Sequence, residues 1–278
     1  MSNTAARFRE VVDYPDEKID LAEAALLIAK NACQDLDVDS YLGRIDQMGR
    51  ELAARLPQPC DETERILALN HYMFEEQGFG PNIENYYDLR NSFLHEVIER
   101  RVGIPISLSI LYIELGRRVG LVLQGVSFPG HFLVKCKVGE GAVILDPYCR
   151  GIPLSLHDLQ QRLRDVRGGE VSHAIVAGML VSARKKDILV RMLRNLKAIY
   201  LEKRDHDHAL SVMEWIILLT PDDAAELRER GLLFRELECF RAAREDLERY
   251  LQLAPAAADA DEIRRHVVGL HQAASRLN

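Results

Sequence analysis

Apolar residues recur at helical spacing through the first third of the chain. Ile19, Leu21, Ala24, Ala25, Leu27, Ile28 and Ala32 predict a helix over residues 19–36, with Asp20 as its cap or first-turn acid. A second amphipathic run, Ser40 to Leu56, carries Leu42, Ile45, Met48, Leu52 and Leu56 and stops at Pro57 and Pro59. Asp61 opens a third, Glu64 completes an Asp-x-x-Glu cap, and apolar positions from Ile66 to Phe74 carry it to Gly78. Residues 1–18 are polar and interrupted by Pro15, so they are expected to pack loosely beside this helical layer.

The pattern then changes. Gly78 to Arg90, GFGPNIENYYDLR, has Gly, Pro and Asn punctuation without periodicity and reads as a loop. Asn91-Ser92 is placed to cap a helix over Phe93 to Arg101, and Pro105 suits the first turn of the next helix, where its missing N–H costs nothing. That second helix is apolar on most sides from Ile106 to Leu115 and is expected to be buried. Beyond Gly120, the runs 121–128, 132–138 and 143–145 read as strands of a small antiparallel sheet lying on it. Arg150 to Pro153 is expected to end the sheet, Ser155 to cap a short helix over Leu156 to Val166, and Gly168-Gly169 to mark the softest point.

From about Asp187 the chain repeats. Pro221 and Pro255 stand 34 residues apart, the tetratricopeptide period. In that register the signature positions are Leu193, Leu196, Tyr200, Ala209, Met213 and Ile216 in the first copy and Leu227, Gly231, Phe234, Ala243, Leu247 and Tyr250 in the second. Gly231 holds the small-residue position that Lys197 fills in the first copy, and Arg230 replaces the usual Leu. A closing helix, Ala256 to Leu277, follows. The fold class is α+β, divided into residues 1–168, a connecting segment 169–186 and an all-α repeat region 187–278.

Composition narrows the function classes. A net charge of −7, with basic pairs such as Arg100-Arg101 and Arg117-Arg118 interleaved with acids, argues against nucleic acid as a partner. Five irregularly spaced cysteines with no Cys-x-x-Cys pair indicate a reducing compartment. The first residues lack an apolar signal-type core and no stretch is long enough to span a membrane, so a cytoplasmic location is expected. There is no phosphate-cradling Gly loop, no His-Glu-x-x-His and no Gly-x-Ser-x-Gly; no cofactor or metal is implied. His206 and His208 have a ligand-type spacing, but they fall at the turn between the two helices of the first repeat and read as solvated. Trp215, on the second helix, reads as packing.

One constellation carries candidate chemistry. A tight hairpin with Val138 facing Gly141 puts Asp146 opposite Leu133, on the face that His131 shares. A loop one residue longer or shorter reverses that parity. An Asp beside an imidazole fixes its tautomer and stabilises imidazolium in nucleophilic catalysis; it is equally a hydrogen bond tying two strands together. His95 and Glu99, one helical turn apart, suggest a second histidine satisfied by a neighbouring acid.

The same stretch resembles the transglutaminase-like fold of papain-type cysteine chemistry. In that family Gly-x-Cys opens a helix, Arg-x-x-Gly closes it, a strand bears His and the next ends in Asp-Pro; Arg117 to Gly120, His131 and Asp146-Pro147 match. More closely, NSFLHEVIERRVGIPISLSILYIELGRRVGL, PGHFLVK and LDPY resemble the bacterial Sir-B type proteins, which join such a domain to C-terminal tetratricopeptide repeats. The resemblance implies a papain/transglutaminase-like core and a regulatory or accessory role. It also exposes a departure, since Pro105 stands where the nucleophilic Cys is expected. None of the five cysteines begins that helix, where the dipole lowers a thiol pKa. Ser107 is a substitute only in principle, because two residues along a helix turn its side chain about 200° away.

Two functions follow. The first is a non-catalytic module that binds a protein or peptide through its repeats. The second is an acyl-transfer or amide-hydrolysing enzyme using His131 as base, Asp146 as its orienter and a substitute nucleophile.

Overall fold

The computed structural model describes residues 3–169 and 171–276; Leu277, the expected end of the closing helix, lies outside them. The architecture is α+β and mostly helical, and the chain divides into two compact units, Met1–Met192 and Leu193–Asn278.

The first unit opens with α1 (Asn3–Asp13), which corrects the expectation of a loosely packed leader. Phe8, Val11 and Val12 give this polar stretch one buried stripe against α2 (Leu21–Ala32), and Arg7 pairs with Glu23 and Asp39. Asp20 caps α2 by accepting from Glu23 N. Next, α3 (Val38–Ala53) starts before Ser40 because Asp37 caps it, and α4 (Glu62–Asn70) carries the Asp61–Glu64 capping box. A π-helical turn, His71–Glu76, extends α4.

Two short strands, β1 (Gly80–Pro81) and β2 (Val102–Gly103), pair in parallel and tie the 78–90 loop to the start of the central helix. Between them lie a 3-10 turn, Leu89–Ser92, and α5 (Leu94–Arg100). Asn91 and Ser92 do not cap α5. Phe93 occupies the cap position without a side-chain bond, and buried Asn91 turns back to hold the loop instead. The central helix α6 (Pro105–Arg118) has Pro105 at its first turn and is buried at every residue from Pro105 to Gly116.

The sheet runs β3 (Leu123–Val126), β4 (Leu133–Val138), β5 (Gly141–Asp146) and β6 (Ile152–Leu154), antiparallel throughout. Residues Ile152 and Pro153 therefore do not end the sheet. Arg150 and Gly151, both at positive φ, turn the chain back along β5, and Pro153 sits on an edge strand, where a missing N–H is tolerated. On one side the sheet packs against α6, where a Cβ at Gly116 would press on the Leu123 side chain. On the other side Val126, Phe128, Leu133 and Ile144 meet Leu159 and Leu163 of α7 (Leu156–Arg167) and Val176 of α8 (His173–Gly178). Ser155 caps α7 as expected, in a box with Asp158. The unit ends within α9 (Lys185–Glu202).

The second unit takes up α9 and continues with α10 (His206–Leu219), α11 (Ala224–Glu236), α12 (Phe240–Leu253) and α13 (Ala260–Arg276). This is two helix pairs and a closing helix. The repeat-register positions Leu193, Leu196, Tyr200, Ala209, Met213 and Ile216 are buried, as are Leu227, Gly231, Ala243, Leu247 and Tyr250. Gly231 lets α12 approach, since a Cβ there would meet Leu247 Cγ at 2.8 Å. Acids compensate both departures from the repeat pattern. Arg230 forms a bidentate pair with Asp246, both bonds 2.7 Å, and Lys197 Nζ donates to Glu226 at 2.7 Å and Glu229 at 2.6 Å. Because Lys197 and Glu226 are both buried, Lys197→Ala is expected to cost about 1–3 kcal/mol, Arg194 remaining as a partner for Glu226. Urea unfolding of the second unit checks this. His206 and His208 lie in the first turn of α10, not in the preceding turn, and His208 Nδ1 bonds the capping Asp205. Trp215 is buried.

Candidate functional site

The β4–β5 register, from Val138↔Gly141 to Val134↔Leu145, brings Asp146 level with Leu133 at the end of β5. His131 precedes β4 in a turn closed by its own N–H donating to Phe128 O at 3.0 Å. From there His131 Nε2 meets Asp146 Oδ1 at 2.9 Å. The same oxygen accepts from Tyr148 N at 3.1 Å and Cys149 N at 3.2 Å, so Asp146 also caps the 3-10 turn Pro147–Cys149. Its other oxygen accepts from Arg162 Nη1 at 2.6 Å.

Asp146 is fully buried, with both oxygens engaged. Burial alone raises its pKa, but the bonds and charges of His131 and Arg162 outweigh it and hold the carboxyl down at about 2. An unfolded Asp titrates near ~3.9. The stabilisation is therefore present above about pH 4 and is lost as pH falls through about 2, amounting to about 2 kcal/mol. Acid titration followed by circular dichroism is expected to show a flatter stability profile between about pH 4 and pH 2 in Asp146→Asn than in the parent.

Ser107 is not brought to His131. Its hydroxyl is buried at the start of α6, donating to Asn91 O at 2.6 Å and accepting from Ile104 N at 3.1 Å. Pro105, in the same first turn, is buried as well. His95 is a core residue on α5, edge-on to Tyr41 with ring centroids 5.7 Å apart, and burial lowers its pKa. The acid expected to satisfy it, Glu99, instead pairs with Arg44 and Tyr41; Glu96 is the nearer neighbour, 3.8 Å from Nε2.

Several residues of the site escaped the sequence reading. Arg162 flanks the buried Leu159–Leu163 stripe of α7, so a cation beside the sheet was legible, though its target was not. Arg191 of α9 donates to His131 O at 2.7 Å and Phe128 O at 3.4 Å and lies over the Phe132 ring. The Tyr148 ring stands edge-on to His131, centroids 5.7 Å apart, and Tyr86 stands edge-on to Tyr148 at 6.5 Å. Cys149 Sγ lies 3.9 Å from Arg162 Nη2, with its thiol pKa pushed up by burial and then by Asp146. The imidazole's side-chain hydrogen bond, made through Nε2, goes to a carboxylate. No group of three or more metal-type ligands occurs among the described residues, nor is any of their helices long and apolar enough to cross a membrane.

Comparison with known proteins agrees with this layout. Residues 39–194 match the transglutaminase-like superfamily, and residues 196–267 match the tetratricopeptide repeat. A UPF0162 protein of Xylella fastidiosa is 40% identical over 92% of this chain and 91% of its own length. One from Pseudomonas aeruginosa is 34% identical over 84% of each chain, and the protein SirB1 of Salmonella typhimurium is 26% identical over 93% of this chain and 96% of its own. The chain belongs to the UPF0162/SirB1 family, with a transglutaminase-like core and a C-terminal tetratricopeptide region. No solved structure matches it.

Proposed function

We propose that this is a non-catalytic transglutaminase-like protein, a protein–protein interaction or regulatory module that holds a protein or peptide partner through its repeats. The observation that carries the reading is the start of α6. Pro105 stands where the family resemblance expects a thiol, and the nearest hydroxyl, Ser107, is engaged by Asn91 and Ile104. His131 and Asp146 then act as a clasp, with Arg162 closing the carboxylate's second oxygen. The irregular cysteine spacing supports a reducing, cytoplasmic setting.

The repeats supply the binding face. Glu202 and Glu236 occupy equivalent register positions at the ends of α9 and α11, and both are exposed. The double charge reversal Glu202→Lys with Glu236→Lys is expected to abolish partner capture from an extract of the native cell without moving the unfolding midpoint. Unchanged capture by the folded double variant would remove the repeats from the proposal.

A further inference from the structure

We propose that the transglutaminase-like core carries a second binding surface, independent of the repeats, in which Arg191 and the tyrosine-bearing 83–87 loop beside His131 hold an acidic peptide segment. Arg191 is the first observation. Its guanidinium is fixed by two main-chain carbonyls, those of His131 and Phe128, and by the face of Phe132. No carboxylate pairs with it among the described residues. Asp146, the acid of the neighbouring clasp, is already held by Arg162, and Asp88 of the nearby loop is held by Arg90 and Arg100. Tyr86 reaches this corner through its edge-on contact with Tyr148, which itself stands edge-on to His131. A half-buried cation without a counter-charge is costly, and a carboxylate arriving there relieves that cost.

The loop is the second observation. Ile83 is 77% exposed and Tyr87 73%, and the Tyr87 ring stands edge-on to Tyr86 at 5.2 Å. Exposed aromatic side chains normally sit on mobile tips, but this loop is anchored from beneath. Buried Asn91 donates to Asn85 O at 2.7 Å and Tyr86 O at 3.1 Å and accepts from Asn82 at 3.0 Å. The loop's main chain is therefore pre-organised, placing aromatic side chains beside a fixed cation, the composition of an interface hot spot. Charge complementarity selects the occupant. Because two carbonyls already engage Arg191, it offers a point charge more than a free fork, which suits an acidic side chain flanked by apolar residues.

The test uses the full chain and a fluorescein-labelled peptide, acetylated and amidated so that its termini are neutral, with aspartates flanked by aromatic residues. Fluorescence anisotropy is expected to give an affinity at least about tenfold higher than for the Asn-substituted peptide. Arg191→Gln is expected to weaken binding about tenfold. Tyr87→Ser, at an exposed position, is expected to weaken it about fivefold with unchanged unfolding, which keeps the test decisive if Arg191→Gln fails to fold. Equal affinity for the two peptides or indifference to Tyr87→Ser overturns the assignment. Loss of this binding in the Glu202→Lys, Glu236→Lys variant also overturns it, by moving the peptide to the repeats.

Discussion

Asp146→Ala is expected to destabilise the first unit by about 3–5 kcal/mol, lowering its unfolding midpoint by roughly 10 °C. The buried carboxylate accepts four hydrogen bonds, from His131, Arg162 and the N–H groups of Tyr148 and Cys149. Removing it leaves a guanidinium, an imidazole and two amides unanswered, and it unties the 131 turn, the end of β5 and α7 at one point. Asp146→Asn keeps an acceptor for the two amides but loses the charge and the oxygen that accepts from Arg162, so its cost is expected to be smaller than that of Asp146→Ala, about 2 kcal/mol. Differential scanning calorimetry of the three proteins tests the order. A cost below about 1 kcal/mol for Asp146→Ala would mean that these bonds do not hold the unit together.

Gly151→Ala has the next largest expected effect, about 2–4 kcal/mol. Gly151 sits at φ 71°, and a Cβ there would lie 2.0 Å from Asn70 Oδ1. Asn70 cannot move freely. Its Nδ2 donates to Gly151 O at 3.0 Å, and its Oδ1 accepts from the buried Tyr112 hydroxyl at 2.8 Å. The substitution therefore strains the β5–β6 turn and strips a partner from a phenol in the middle of α6. Asn70→Ala removes the obstructing side chain, so the double variant is expected to be less destabilised than the sum of the two single ones. Strict additivity in urea unfolding would place the cost in backbone strain alone.

The sequence was most legible where periodicity and turn chemistry act locally. The Asp61–Glu64 box, Pro105 at a first turn and the Val138–Gly141 hairpin are set within a few residues, and the hairpin register carries Asp146 to His131. The 34-residue spacing likewise describes helices that pack on their sequence neighbours. Tertiary partners were not legible. Asn91 looks like a helix cap by type, yet burial turns it toward Asn82, Asn85 and Tyr86, which surround it only after the loop folds back. Arg162 and Arg191 reach the site from helices far along the chain, and nothing local shows which groups they meet. The first helix was hidden because three apolar residues suffice once α2 offers a face to bury them.

The proposal that His131 is a structural residue and the repeats are the working surface is tested most directly by rescue of a deletion strain. His131→Gln retains an amide N–H for Asp146 and removes the base. Expressed at equal levels, His131→Gln is predicted to restore the parental state fully, and the Glu202→Lys, Glu236→Lys variant is predicted to fail. Failure of a folded His131→Gln protein, together with rescue by the repeat variant, would contradict the account and return the function to chemistry at the imidazole.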